Sequence, residues 1–307
     1  MENQQTQATA QPAKPKPKKR HFSLLVVLFS LLLMFGGSLL FVVPLAIITI
    51  LFPQMDPAVT NVLTSYTPFL GVVIVTLLFC LLFERDIFKS MLWPKVGGSR
   101  GNTLKMFLLG LLAGFLSNGL CVLAAWLKGD VSFAPGRLSV PFLLFAFVNV
   151  MIQSSAEELF SRGYMQGALQ ERYGIITAVL VNGLFFGLLH LPNPGITVLS
   201  FMNISLYGII MSLVAYYFKS LWFCMAYHTA WNFTQNYIFG LPNSGLPAQG
   251  AALQAVDAKS SIIYDATFGV EGGIVFCVLG VIAAVAMILW FRKKPATPKA
   301  QTNHSSL

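Results

Sequence analysis

The sequence predicts an all-α fold, a polytopic membrane bundle of about eight transmembrane helices. Hydrophobic residues make up 56% of its 307 residues and charged residues only 10%, whereas a soluble domain has about 25% charged residues. A chain so poor in charge could not cover its own surface with polar groups. Its apolar residues also come in runs long enough to cross a bilayer as helices. We therefore expect an integral, multi-pass membrane protein.

The first apolar run, 22–52, is too long for the core of a signal peptide and lacks a clean small-residue cleavage site. We interpret it as an uncleaved first span, and we expect Pro44 either to kink it or to mark its outer end. Seven further spans are expected, at 61–83, 104–127, 139–162, 174–190, 196–218, 221–239 and 270–291.

These spans predict six regions. In chain order they are a disordered basic cytoplasmic tail (1–21), N-terminal transmembrane helices with a basic inner loop at 84–105 (22–138), a core rich in membrane-buried polar residues (139–239), an outer loop (240–269), the last transmembrane helix (270–291) and a basic cytoplasmic tail (292–307). The inner loop is either a helix on the membrane surface or an ordinary loop that sets the topology.

The net charge of +9 does not indicate a nucleic-acid partner, because the cations flank the spans. With the N-terminus placed inside, 17 Lys and Arg residues fall on the inner side and 3 on the outer side. Such an excess is typical of cytoplasmic segments and of contact with anionic lipid. We therefore expect both termini in the cytoplasm and the lipid bilayer as a partner. A bacterial plasma membrane is the favoured location.

Two adjacent carboxylates, Glu157 and Glu158, follow an uncharged apolar stretch and precede Arg162. Ionisable groups in a membrane-buried helix are expensive, so they tend to pair, to face a cavity and to mark function. Glu158 and Arg162 are four residues apart, which favours an ion pair along one helix face. Glu157 lies about 100° away around the helix. It is the freer carboxylate.

Two histidines are expected at the same level as Glu157. Glu157 and His190 are equally distant from a predicted turn at 173–174, about 16 residues or roughly 24 Å along a helix. We expect the polar residues before that turn to project into the cytosol, which would place this pair about 10–14 Å below the inner surface. His228, with Asn232 on the same helix face, is expected roughly 11–12 Å deep. The predicted site opens toward the cytoplasmic face.

A glutamate beside a histidine in a partly dry cavity can take a proton from water, which then attacks a carbonyl carbon. A neighbouring histidine and asparagine suit the oxyanion that forms. This chemistry indicates hydrolysis of an amide or ester, most plausibly a peptide bond near the membrane surface. Alternatively, Glu157, His190 and His228 could hold Zn²⁺ with an open position for water, although no HExxH motif is present.

Three motifs in this order, Glu157-Glu158-x-x-x-Arg162, Phe186-x-x-x-His190 and His228-x-x-x-Asn232, resemble the signature motifs of the CAAX prenyl endopeptidase and bacteriocin-processing (CPBP, or Abi) family of intramembrane proteases. The resemblance covers about 139–239. It implies that Glu157 activates water with His190, that His228 and Asn232 stabilise the oxyanion, and that Glu158 and Arg162 support the site. Phe186 would either line the cavity or serve only in packing. The family has been described both as metal-free and as metal-dependent, so the resemblance implies either no cofactor or Zn²⁺.

The resemblance implies a membrane-associated protein or peptide as the substrate. Two other classes of function stay open on the sequence. A non-catalytic bacteriocin-immunity or membrane scaffold protein could keep the same residues without turnover. A proton-coupled transporter could use membrane-buried Glu and His residues as a relay, although the chain has no evident inverted repeat.

Overall fold

The computed structural model describes residues 23–92 and 101–292. The two predicted tails, apart from Arg292, lie outside the described residues, as do Lys95 and Arg100 of the basic inner loop. The described helices are α1 (Ser23–Leu51), α2 (Pro57–Tyr66), α3 (Phe69–Phe83), α4 (Arg85–Leu92), α5 (Leu104–Lys128), α6 (Val140–Glu158), α7 (Gln166–Tyr173), α8 (Ile175–Leu189), α9 (Val198–Phe218), α10 (Leu221–Phe233) and α11 (Ile274–Arg292). Two short strands, β1 (Ser132–Pro135) and β2 (Leu253–Val256), pair antiparallel.

The all-α, multi-pass prediction is confirmed. In the described part of the chain, six helical segments are long and apolar enough to cross a membrane: Leu24–Leu51, Pro57–Phe83, Leu104–Lys128, Val140–Tyr173, Val198–Phe218 and Ile274–Arg292. The other two predicted spans correspond to α8, which has 15 residues, and to α10, which has 13. The count of eight spans and the cytoplasmic location of the termini stay predictions.

The first two predicted spans differ in detail from the observed helices. Pro44 lies inside α1, which continues to Leu51, so this proline does not end the helix. The second span begins earlier than predicted, at Pro57, because Asp56 caps the amides of the first turn of α2. It is then broken between α2 and α3 at Pro68, which has no amide hydrogen to donate to a helical bond.

The helix order defines two ends of the bundle. The loop end comprises 52–56, 129–139, 190–197 and 239–273, and the basic end comprises α4, 101–103, Gly174 and 219–220. Contacts within each end support this division: Arg137 pairs with Asp56 at the loop end (2.6 Å). At the basic end, the amide of Gly101 donates to the carbonyl of Phe218 (2.9 Å). α1 begins and α11 ends at the basic end.

The long connection at the loop end is tied to its neighbours. β2 pairs with β1, and the amide of Ala252 donates to the carbonyl of Tyr237 (2.9 Å). The carboxamide of Asn193 donates to the carbonyl of Ser244 (2.7 Å). Gly245 packs so closely on the backbone of Pro194 that a side chain at this position would overlap it, and its φ is +83°. The connection therefore packs over the helix ends.

The basic end is closed by α4 and α7. Gly163 lies against the side chain of Met91, and Arg172 pairs with Glu84 (2.9 Å). Gln166 is only 3% exposed and Arg172 only 9%. α4 therefore packs against part of the hairpin that was predicted to project into the cytosol, and the position of the hairpin relative to the membrane stays a prediction.

α10 is held between α5 and α6, and it carries two of the predicted site residues. Gly110 and Gly114 of α5 lie directly against the backbone of α10 at Phe223 and Tyr227, where a larger residue would overlap that backbone. This close approach fixes the depth and rotation of α10. It thereby orients His228, which is on the face of α10 turned toward α6.

Candidate active site

A cavity of about 200 Å³ lies inside the bundle and contains the predicted site. Glu157 near the end of α6, His190 just after α8, and His228 and Asn232 on α10 all line it, as does Phe186. The structure therefore brings together residues from three helices that lie up to 75 positions apart in the sequence. Glu158 and Arg162 lie behind the wall of this cavity.

Two π-helical segments flank the site residues. The first, Leu159–Met165, begins directly after Glu158, and the second, Thr234–Ile238, begins two residues after Asn232. Single π-helical turns within α-helices often occur at functional sites, since the extra residue per turn redirects neighbouring side chains. In the first segment the hydroxyl of Ser161 donates to the carbonyl of Glu157.

Glu157 lies on the cavity wall, with its side chain 12% exposed. One carboxylate oxygen accepts a hydrogen bond from the carboxamide of Gln153, one turn earlier on α6. The other oxygen is 4.0 Å from Nε2 of His228. The carbonyl oxygen of Gln153 accepts from the carboxamide of Asn232 (3.2 Å). Gln153 thus connects two residues that the sequence assigned to different roles.

The orientation of His190 follows from its neighbour. Its Nδ1 is 2.8 Å from the carbonyl oxygen of Phe186. A carbonyl can only accept, so Nδ1 carries a proton, and Nε2 of a neutral ring presents a lone pair. Phe186 also packs against this imidazole, with ring centroids 5.0 Å apart.

Glu158 is the centre of a sealed cluster, with its side chain 0% exposed. The same carboxylate oxygen lies 3.3 Å from Nη1 of Arg162, 3.1 Å from Nδ1 of His228 and 3.2 Å from the hydroxyl of Tyr207. The ion pair with Arg162 was predicted from their spacing. The contacts with His228 and Tyr207 were not, because these residues lie on α10 and α9. Glu158 accepts the Nδ1 proton of His228 and so fixes the orientation of that imidazole.

Arg162 completes the cluster from the first π-helical segment. Its guanidinium lies over the rings of Phe186 (4.2 Å) and Tyr207 (5.5 Å), and Nη1 donates to the hydroxyl of Ser161 (2.8 Å). Phe186 therefore packs between the guanidinium and the cavity. A cation in this position balances the charge of Glu158, whose side chain is fully buried.

A second carboxylate, which the sequence analysis missed, lines the cavity from the loop end. Glu271 accepts from the carboxamide of Gln235 (2.6 Å) and from the indole of Trp231 (3.1 Å). Burial raises the pKa of Glu271, although these two hydrogen bonds lower it in part. An acidic residue directly before the last apolar run was the available signal in the sequence.

The zinc alternative would need Glu157, His190 and His228 as ligands of one ion. Among residues 23–92 and 101–292, no group of three or more His, Cys, Asp or Glu side chains is placed to hold a metal ion. These three residues line one cavity without forming such a set. Metal dependence stays a prediction.

Comparison with known proteins agrees with these features. A family model described as type II CAAX prenyl endopeptidase Rce1-like matches residues 139–234. Residues 139–234 are therefore similar to this family. The match covers nearly all of the predicted core, 139–239, and includes each residue of the three motifs. No curated protein matched the chain. The CPBP family is one of proteases, so the match indicates a CAAX protease type of activity in a multi-pass membrane protein.

Proposed function

We propose that this protein is an intramembrane endopeptidase of the CPBP type that hydrolyses a peptide bond of a membrane-associated protein or peptide. The observation that carries the proposal is the convergence of Glu157, His190, His228 and Asn232 on one cavity. A packing role alone would not require a carboxylate, two imidazoles and a carboxamide from three helices around an internal space.

Glu157 acts as the general base in this proposal. Its carboxylate takes a proton from water while the water oxygen attacks the carbonyl carbon of the scissile bond. Nε2 of His190 accepts the other hydrogen of that water and orients it. The carbonyl oxygen becomes an oxyanion, and collapse of the tetrahedral intermediate breaks the C–N bond. The proton returns to the leaving amine nitrogen.

His228 and Asn232 stabilise the oxyanion in this scheme. The carboxamide of Asn232 has two hydrogens, of which Gln153 accepts one. The other can be donated to substrate. His228 donates a hydrogen bond from Nδ1 to Glu158. It can therefore donate a second hydrogen bond, from Nε2, only as an imidazolium. Glu158 orients this imidazole through the hydrogen bond, which assigns it a positioning role.

The test is a comparison of membranes from cells that carry the wild-type protein with membranes from cells that carry Glu157→Gln. New protein N-termini are identified by mass spectrometry. The matched control is Glu171→Gln, which alters an exposed glutamate of α7 away from this cavity. We expect a set of new N-termini in the wild type and the control that disappears in Glu157→Gln.

Identical N-termini in all three samples would contradict the proposal. A phenotype that persists in Glu157→Gln without any cleavage would instead support the scaffold function, and ion-coupled uptake in proteoliposomes would support the transporter. Metal dependence is tested separately, by adding a strong chelator to the purified wild-type protein. Cleavage that survives the chelator but not Glu157→Gln is the expected result.

A further inference from the structure

We propose that the catalytic cavity is entered from the loop end of the bundle, and that its substrate is an extended peptide segment presented on the outer side of the membrane. The route of entry rests on geometry alone. The identity of the occupant as a substrate rests on the proposed function.

Residues of the loop end form one wall of the cavity. Asn193, Asn243, Ser244, Leu246 and Glu271 line it, and no residue from the described segments of the basic end does. The two sequence predictions of an opening toward the cytoplasmic face and of a cytoplasmic basic end therefore exclude each other. α4 and α7 close that end, through contacts such as the ion pair of Arg172 with Glu84.

The mouth of the cavity can be located from exposure. Of its lining residues, only Ser65 on α2 and Leu246 in the loop-end connection are exposed. Seven others are half-buried, namely Met34, Phe69, Glu157, Leu189, His190, Asn193 and Ser244, and the rest are buried. The mouth therefore lies between the end of α2 and the turn around Leu246.

A row of two polar residues on α2 leads to this mouth. Asn61 and Ser65 lie four residues apart on one helix face, beside the buried face that carries Val62 and Tyr66. Within the described residues, the side chains of Asn61 and Ser65 have no hydrogen-bond partner, whereas the hydroxyl of Thr64 donates to the carbonyl of Thr60 (2.9 Å).

Unpaired polar groups are costly in hydrocarbon, so this row requires water or a polar ligand beside it. An extended peptide backbone supplies both donors and acceptors at such spacing and is the form in which many proteins bind peptides. A segment lying along Asn61 and Ser65 would reach Glu157 through the mouth. The chemistry of the row thus fits the substrate class of an endopeptidase.

The charge distribution assigns the side of the membrane. The predicted split of 17 Lys and Arg residues to 3 places the basic end in the cytoplasm. The loop end and the mouth then face outward. The scissile bond is therefore expected in the extracytoplasmic part of a membrane-associated protein.

Labelling of single cysteines tests this route without any need for activity. Ser65→Cys and Leu246→Cys probe the mouth, and Ser90→Cys on α4, also exposed, is the matched control at the basic end. Cys277 is replaced by serine to lower the background, since the other native cysteines are buried. A membrane-impermeant maleimide is added to intact cells and, separately, to permeabilised cells.

We expect both mouth variants to label in intact cells and Ser90→Cys to label only after permeabilisation. The reverse pattern would overturn the proposal. Mouth cysteines that stay unlabelled in both conditions, while Ser90→Cys labels, would also overturn it, since the row would then face lipid. Two independent mouth positions protect the result against misfolding of one variant.

Measurements of activity test the polar row itself. Asn61→Leu should lower kcat/KM for cleavage of a reporter protein mainly by raising KM, whereas Thr60→Val should have no effect, because the Thr60 hydroxyl already donates to the carbonyl of Asp56 (3.1 Å). Equal activity of Asn61→Leu and the wild type would remove the row from the binding path.

The cleavage sites separate the two proposals. New N-termini that depend on Glu157 and lie in extracytoplasmic segments support both. Glu157-dependent sites in cytoplasmic segments leave the protease function intact and overturn the outer entry. Outward labelling of the mouth without any Glu157-dependent cleavage overturns the protease function and leaves the route of entry supported.

Discussion

The cavity wall and the sealed cluster behind it contain adjacent glutamates in opposite environments. Glu157 on the wall is bonded to a neutral carboxamide and faces open space, whereas Glu158 is fully buried against a guanidinium, an imidazole and a phenol. One residue along an α-helix is a rotation of about 100°, which is enough to separate the two surroundings. A carboxylate that must take a proton needs an open oxygen, while a carboxylate that orients other groups needs compensated charge.

The two regions also differ in what removal of a carboxylate costs. Loss of one partner from a buried ion pair leaves an uncompensated charge, which destabilises a protein by about 3–5 kcal/mol. Loss of a carboxylate that faces a cavity leaves no such charge. The comparison therefore predicts opposite profiles of activity and stability for matched variants of the two glutamates.

The largest effect on turnover is expected for Glu157→Gln. Because the amide cannot take a proton from water, cleavage should fall by about 10²–10⁴-fold. The thermal unfolding midpoint in detergent should stay close to that of the wild type. Measurable cleavage at the wild-type rate in this variant would contradict the role of Glu157 as base.

Glu158→Gln should lower the free energy of unfolding by about 3–5 kcal/mol, because Arg162 would stay buried without its counter-charge. Turnover should fall as well, since Nδ1 of His228 loses its charged acceptor. The measurement is unfolding by denaturant in detergent micelles, with Glu157→Gln measured in parallel. If both variants unfold alike, the distinction between the wall and the cluster fails.

A smaller loss of stability is expected for Tyr207→Phe, which removes one hydrogen-bond donor to Glu158. Hydrogen bonds to charged groups contribute about 1.5–3 kcal/mol. Tyr227→Phe is the matched control, because among the described residues its hydroxyl bonds only to the neutral hydroxyl of Ser117 (2.8 Å). Destabilisation by Tyr227→Phe equal to that by Tyr207→Phe would show that Glu158 gains nothing special from the phenol.

The smallest effect concerns the pH dependence of stability and tests Glu271 at the loop end. Burial raises the pKa of this carboxyl above its usual range, so the folded protein binds a proton that the unfolded chain releases. Stability should therefore decline as the pH rises from about 4.3, the ordinary pKa of glutamate, through the folded pKa. Glu271→Gln should flatten this decline in unfolding measurements across pH. An unchanged slope in the variant would assign the decline to other groups.

Much of the core could be predicted from single helices. Glu157, His190, His228 and Asn232 were found by their cost in a membrane and by their equal distances from a turn, and the structure places them around one cavity. The contact of Gln153 with Asn232 joins α6 to α10, and neither helix alone contains that information.

The packing of the basic end was missed for a similar reason. Polar residues of α7 suggested a hairpin that projects into the cytosol, but α4 packs against this hairpin, and the pairing of Arg172 with Glu84 spans 88 positions. The two π-helical segments were also beyond prediction, because they depend on how α6 and α10 pack rather than on local propensity.

The sequence by itself determined that this protein is an all-α membrane bundle with a basic side and a core that resembles the CPBP family, because hydrophobicity, charge and motif order are properties of the chain. Only the tertiary structure decided which oxygen of which glutamate meets His228, that Tyr207 joins the cluster, and at which end the cavity opens. Those features arise where helices distant in sequence exclude water from one another. There, the partner of a buried polar group is set by packing.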